Sequence, residues 1–290
     1  MTGGSSGYTA GVPGPTGLSS ADAGDDFLRA RRRQAFARLT RRLQGGPDVG
    51  AILPFDEVVA ALGRTGERDA GLQTIDLDAI AGTVGRTQAG FDRAFRPTTP
   101  AVRVRWERIA KIMREGGSLP PISVYQVGDV YFVRDGHHRV SVARALGRDA
   151  IDASVVEVLT RVGADHRLTL ADLPRKSHER LFRERVPLAP ERAARVVLSD
   201  ALRYGALAEG VEAWAFRAQQ TRPDVLHREE AAALWFTTEF EPVVVMIVEA
   251  GLRGEGTEAD AYLEVGCERY RLALTHEWSP ELLERVRRER

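Results

Sequence analysis

Residues 130–147 read Val-Tyr-Phe-Val-Arg-Asp-Gly-His-His-Arg-Val-Ser-Val-Ala-Arg-Ala-Leu-Gly. A β-type run, Val130–Arg134, closes on Asp135-Gly136. A helix-type run begins at once, with His137, His138 and Arg139 in its first turn. Backbone N–H groups, two imidazoles and a guanidinium are thus expected at one helix start. Unpaired N–H groups and the helix dipole both favour negative charge there. Guanidinium forks match phosphate oxygens, so Arg139 is the leading contact, with Gly136, His137, His138 and Ser141 beside it. The stretch predicts a phosphate-binding turn, the phosphate being that of a nucleotide.

Several of these residues have two readings. Asp135 is either a catalytic or metal-positioning carboxylate, or an N-cap accepting an N–H of the first turn. The histidines either bind phosphate oxygens or relay a proton near neutral pH, or they sit idle in a solvent-facing turn. Arg144, one turn beyond Val140, reaches either the same anion or solvent. Two adjacent histidines with no evident third ligand make no metal site.

Working outward, Ile122–Val127 and Val130–Arg134 are two β-rich runs separated by Gly128-Asp129, a hairpin signal. Before them, Val102–Glu115 carries Trp106, Ile109, Ala110 and Met113 at helical spacing, and Gly116-Gly117 stops it. Leu72–Val84 reads as a strand, Gly85–Pro100 as a loop, and Ile151–Val158 as a closing strand. The order strand, loop, helix, hairpin, helix, strand is a compact α+β unit over residues 71–160. From Thr169 to residue 290 the pattern is helical. Helices are expected at Ala171–Arg185, Pro190–Tyr204, Gly210–Gln219, Arg228–Ala250, Glu258–Leu274 and Pro280–Arg288, with Pro242 able to kink or split the long one. Trp214, Trp235, Phe236, Phe240 and Tyr262 read as core rather than as a platform for stacking bases.

Met1–Gly24 is rich in Gly, Ser, Thr and Pro and is expected to be disordered. Residues 25–70 hold a basic helix, Asp25–Gln44, and a short one at Phe55–Leu62. Phe36, Leu39 and Leu43 form the apolar stripe of the first, and its arginines, Arg31, Arg32 and Arg33 among them, are either a solvated face or a nucleic-acid contact. The 290 residues are 43% hydrophobic and 28% charged, a globular composition. Basic and acidic residues balance at 41 each, so a nucleic-acid role requires a local patch. Cys267 is the single cysteine, which excludes an internal disulfide and a thiolate zinc cluster and suits a cytoplasmic location. No stretch is read as a membrane span, and the N-terminus is not read as a signal peptide.

Residues 72–158 resemble the ParB/sulfiredoxin-like superfamily. Arg86 followed by Phe91-Asp92 is similar to the Arg-x-x-Phe motif of ParB N-terminal domains, at longer spacing. Gly116-Gly117-Ser118-Leu119-Pro120-Pro121-Ile122 resembles their entry to the hairpin. Asp135-Gly136-His137-His138-Arg139 resembles both their CTP-phosphate box and the phosphate loop of sulfiredoxin. Its wording is most similar to the free-serine kinases of the superfamily, where the loop holds ADP phosphates. The late helices resemble actinobacterial ParB-like proteins. Three departures stand out: His137 occupies the place of sulfiredoxin's reactive cysteine, Ser141 replaces a further ParB arginine, and no persuasive helix-turn-helix follows Val158.

The resemblance implies an α+β ParB/sulfiredoxin-like domain followed by a helical region. It also implies a nucleotide (CTP, ATP or ADP, with Mg²⁺) held by Gly136, His137, His138, Arg139, Ser141 and Arg86. A regulatory or DNA-associated role, with a homodimer, goes with it. One alternative is phosphoryl transfer or nucleotide hydrolysis, for which Glu107 or Asp92 would act as base and Asp135 as a second carboxylate. The other is a scaffold that keeps the fold alone.

Overall fold

The computed structural model describes residues 19–44, 52–85 and 90–289, with the side chains of 19, 20 and 38–44 left aside. Arg86 and residues 1–18 lie outside the described residues. The chain divides into two compact units. The first runs up to Val59 and continues with Thr65–Leu159 and Gly163–Leu170; the second takes Ala60–Arg64, Thr160–Val162 and everything from Ala171 onward.

The first unit is α+β. Its elements are α1 (Ser19–Gln44), β1 (Leu53–Pro54), α2 (Phe55–Leu62), β2 (Arg64–Asp76), β3 (Ile80–Thr83), α3 (Arg103–Arg114), β4 (Ile122–Val127), β5 (Val130–Asp135), α4 (His137–Ala145) and β6 (Ala150–Thr160). Six strands make one mixed sheet in the order β1-β3-β5-β4-β6-β2. Strands β4 and β5 pair antiparallel through the Gly128-Asp129 turn, while β3 lies parallel to β5 and β6 parallel to β4. Gly128 has φ 57°, and a Cβ there would stand 2.1 Å from the Ala164 carbonyl oxygen, so the turn admits only glycine.

One face of the sheet is covered by α1, α3 and α4. Trp106, Ala110 and Met113 of α3 meet Val140, Val142 and Ala143 of α4, with Val124, Val133, Ala153 and Val155 of the sheet beneath. The other face stacks Phe55 on Tyr125 at 4.6 Å and edge-on to Phe132 at 5.6 Å. Residues on both sides of α4 are buried, including Ser141 at 3% exposure. Its hydroxyl accepts the Trp106 indole N–H at 2.8 Å, which gives a fully buried donor its partner.

Three sequence expectations change. The strand expected at Leu72–Val84 is two strands, because the Asp76 carboxylate accepts the Asp78 N–H at 2.7 Å and turns the chain between β2 and β3. Helix α1 starts at Ser19, inside the stretch expected to be disordered. Its docked stripe is Ala23, Phe27 and Ala30, spaced i, i+4, i+7, with Phe27 edge-on to Trp106 at 5.5 Å, whereas Phe36 is 69% exposed. The stripe packs against α3 because that is where Trp106 needs cover.

The second unit is helical: α5 (Leu173–Arg185), α6 (Pro190–Ala193), α7 (Tyr204–Gln220), α8 (Arg228–Trp235), α9 (Glu241–Glu249), α10 (Glu258–Ala273) and α11 (Pro280–Glu289). The single helix expected at Pro190–Tyr204 is broken after Ala193. Side-chain acceptors replace helical ones there: the distant Asp260 takes the Ser199 N–H and hydroxyl, and locally the Tyr204 hydroxyl takes the Leu198 N–H and Asp200 the Leu202 N–H. A π-helical turn, Phe236–Phe240, joins α8 to α9. Pro242 follows it and cannot donate the usual i→i−4 bond, a sufficient cause for the widened turn. The apolar stretch within Phe240–Ala250 is by itself too short to span a membrane, but by length and composition the whole run Arg228–Glu249 is long and apolar enough to cross one. Trp235, Phe236, Phe240, Val243, Val244 and Ile247 from this run are all buried in the unit's cores.

Replacing Ser141 by Ala leaves the buried Trp106 N–H without an acceptor, a cost of about 1–3 kcal/mol. Urea denaturation of Ser141→Ala should show this loss, and adding Trp106→Phe should cost less than the two single losses combined. Strict additivity would mean the hydrogen bond contributes nothing.

Candidate functional site

The turn from β5 into α4 sets the site. Gly136 is the N-cap of α4 at φ 110°, ψ 16°, and as a glycine it brings no capping side chain. The left-handed conformation disfavours any L side chain, and a Cβ at 136 would lie 2.5 Å from Ile122 Cγ2. Asp135 is therefore not the cap. It ends β5, and its carboxylate reaches forward to Arg139 Nη2 at 2.6 Å. The first turn of α4 lies at the C-terminal ends of the parallel strands β3 and β5, the usual side for ligands on such sheets.

Arg139 is held by three internal acceptors. Nη1 donates to the Pro120 carbonyl and, at 2.8 Å, to the Pro121 carbonyl, while Nη2 pairs with Asp135. The side chain is 12% exposed against 69% for Asp135. The guanidinium thus clamps the segment entering β4 to the start of α4 and presents its charge from a fixed position.

Both histidines turn inward under the loop of residues 90–99. His137 Nε2 lies 2.8 Å from Thr83 Oγ1 at the end of β3, and its ring stacks on Phe95 at 6.1 Å. His138 meets Phe91 edge-on at 5.1 Å. Burial pushes the His137 pKa down, against the pull of Asp135. Burial, then the nearby Arg105 and His137, push His138 down to about 4. Both shifts favour the neutral imidazole at pH 7.

The loop itself is built on Asp92. Its carboxylate accepts the Ala94 and Arg96 N–H groups at 3.0 and 2.9 Å and pairs with the Arg96 guanidinium at 2.8 Å. Phe95, fully buried, sits at φ 56°, a left-handed conformation that is costly for a bulky residue. Its ring lies between His137 and the Arg144 guanidinium, which stands 5.3 Å from the ring centroid. Arg144 points away from the α4 start and donates to the Leu77 and Ile80 carbonyls.

The structure therefore brings together Asp135, Gly136, His137, His138 and Arg139 of the expected set. Ser141 faces Trp106 inside the fold. Glu107 pairs with Arg103 at 2.6 Å on the side of α3 that faces α1, and Asp92 supports its loop. Arg31 is half-buried and Arg32 and Arg33 are exposed on α1. Sequence reasoning missed Thr83, Phe95 and Arg105. The pair Phe91 and Phe95, flanking Asp92 in a Pro-bounded loop, was the available signal. Among the described residues, no cluster of three or more His, Cys, Asp or Glu side chains could hold a metal ion.

The model of the ParB N-terminal domain family matches residues 91–169, which run from Phe91 of the loop through α3, β4, β5, α4 and β6. The chain thus carries a domain of the ParB-like superfamily. Among solved structures it is similar to a pNOB8-like ParB N-domain, at 10% identity over 76% of this chain and 84% of that one, with a TM-score of 0.22. No curated protein matches the chain.

The depressed histidine pKa values carry a pH signature. A histidine titrating lower in the folded state binds more protons when unfolded, so stability is complete above pH 6.5 and falls as pH drops toward 4. In His138→Gln this acid loss should shrink, as read by thermal midpoints from pH 7.5 to 4.5. An unchanged profile would show that His138 titrates normally.

Proposed function

We propose that the ParB-like domain binds the phosphates of a Mg²⁺-complexed nucleotide at the first turn of α4, in a regulatory or DNA-associated role. The observation that carries this reading is the helix start itself: an uncapped, left-handed Gly136 opening α4 beside the fixed Arg139 guanidinium. Both features favour an anion. The resemblance of this loop to superfamily members that bind CTP or ADP phosphates supports the choice of ligand. The strained Phe95 loop above it is the kind of feature that accompanies ligand sites.

Charge decides the form of the ligand. With the histidine pKa values lowered, Arg139 and Asp135 nearly cancel, and Arg105 adds positive charge near His138. A bare polyphosphate would face the Asp135 carboxylate. A Mg²⁺ complex lowers the anionic charge and gives that carboxylate a second partner beside Arg139, since Mg²⁺ is commonly held by one or two carboxylates plus phosphates. Glu107 and Asp92 are engaged elsewhere, which favours binding over phosphoryl transfer.

Calorimetry with CTP, ATP, ADP and GTP tests this. At least one should bind with Mg²⁺ and weaken about tenfold or more on chelation or in Arg139→Lys, a loss corresponding to about 1.4 kcal/mol. Equal affinity in Arg139→Lys would remove the guanidinium from the site. Steady phosphate release in the same samples would turn the reading to an enzyme.

The DNA role rests on α1. Deleting the helix would uncover Trp106, so charge neutralisation is the cleaner test. Arg31→Gln with Arg32→Gln should lower the slope of log affinity against log salt by about two. An unchanged slope would clear α1 of the role.

A further inference from the structure

Thr83 closes β3 with only 3% of its surface exposed, opposite Val133 of β5 in the sheet register. Its hydroxyl oxygen stands among three polar atoms: His137 Nε2 at 2.8 Å, the Val133 carbonyl oxygen at 3.2 Å and the Val84 carbonyl oxygen at 3.5 Å. The ring nitrogen donates or accepts according to its tautomer, whereas the two carbonyls only accept. The hydroxyl has a single proton to place among them.

With that proton on the His137 side, the Thr83 oxygen would turn bare lone pairs toward two carbonyl oxygens. With it on the Val133 side, Nε2 carries a hydrogen and donates to the Thr83 oxygen, and each short contact joins a donor to an acceptor. The Val133 carbonyl has the capacity, since it takes the Val84 N–H at 3.0 Å and keeps a second lone pair. Burial sharpens the preference, because polar mismatches cost more away from water. The neutral ring is therefore the Nε2–H tautomer, and its Nδ1 is bare. Among the described residues nothing hydrogen-bonds Nδ1. Nor is it one of the unpartnered side-chain nitrogens sealed from solvent, which are the Nε atoms of Arg144, Arg180 and Arg269. The Nδ1 lone pair is open in the first turn of α4.

We propose that Thr83 is a positioning residue, which holds His137 with Nδ1 as a hydrogen-bond acceptor so that this ring takes an O–H donor of the ligand and turns away an unprotonated phosphate oxygen. The nature of the ligand rests on the nucleotide reading, while the tautomer does not. Phosphate oxygens are then left to the backbone N–H groups and Arg139. The donor that meets His137 is a sugar hydroxyl or a water carried by Mg²⁺, which usually keeps several waters when bound. A histidine that the sequence offers as a phosphate contact thus selects a partner of the opposite polarity.

The test uses the full chain labelled with ¹⁵N-histidine at about pH 8, where an ordinary imidazole is neutral. Ring ¹H–¹⁵N correlations, assigned with His137→Gln, should show a protonated Nε2 and a bare Nδ1 at His137. Thr83→Ser should keep that pattern. Thr83→Val, which keeps the shape and loses the oxygen, should move both nitrogens toward tautomer-averaged shifts. Mg²⁺ complexes of CTP, ATP, ADP and GTP should then shift Nδ1 upfield, as accepting a hydrogen bond does, without protonating it. Loss of that shift with 2′,3′-dideoxynucleotides identifies the sugar hydroxyl as donor. Its persistence there, with loss when Mg²⁺ is omitted, identifies the metal-bound water. A proton on Nδ1 in the free chain or the complex overturns the inference, and so does a Thr83→Val ring with the wild-type pattern. If no nucleotide binds, the nucleotide reading fails, and the free-chain tautomer alone decides this inference.

Discussion

The left-handed backbone at Gly136 is the constraint on which the rest of the first unit depends. It lets β5 turn into α4 within one residue while Ile122 of the neighbouring strand presses against the turn. That close approach leaves no room for a capping side chain. The helix therefore begins on a residue that brings no capping side chain. Around that start, Arg139 ties Asp135 and the Pro120-Pro121 carbonyls together. Thr83 meets the His137 ring.

The electrostatic character of the site follows from this packing. Side chains that look cationic in the sequence are neutral or internally paired in the fold. Burial beside Phe91 and Phe95 lowers the pKa values of both imidazoles and favours their neutral form. The guanidinium of Arg139 keeps its charge, but its donors are largely engaged. What remains for a ligand is directional: backbone N–H groups, one fixed positive charge and an exposed carboxylate. That combination suits a metal-complexed phosphate better than a free one.

Local signals in the sequence carried the fold where partners lie close along the chain. The hairpin at Gly128-Asp129, the Trp106–Met113 stripe of α3 and the start of α4 all follow from short-range periodicity and turn chemistry. The misses arise where a distant group decides. The turn that splits β2 from β3 was readable in Asp76-x-Asp78, but the break after Ala193 needs Asp260, some sixty residues away. The destinations of Ser141 and Arg144 were not legible, because Trp106 and the Leu77 and Ile80 carbonyls claim them in three dimensions. In α1 the arginine-rich half carries the stronger sequence signal, while Ala23, Phe27 and Ala30 do the packing. Neutral histidines are likewise a property of burial, and burial is not written in a dipeptide.

The central claim is that the first turn of α4 receives phosphate. Backbone amide NMR of the labelled full chain, titrated with Mg²⁺ complexes of CTP, ATP, ADP and GTP, reads that turn directly. The account predicts saturable shifts concentrated at the amides of Gly136, His137, His138 and Arg139. Titrations that leave those four amides unmoved, whatever happens elsewhere in the chain, would contradict it.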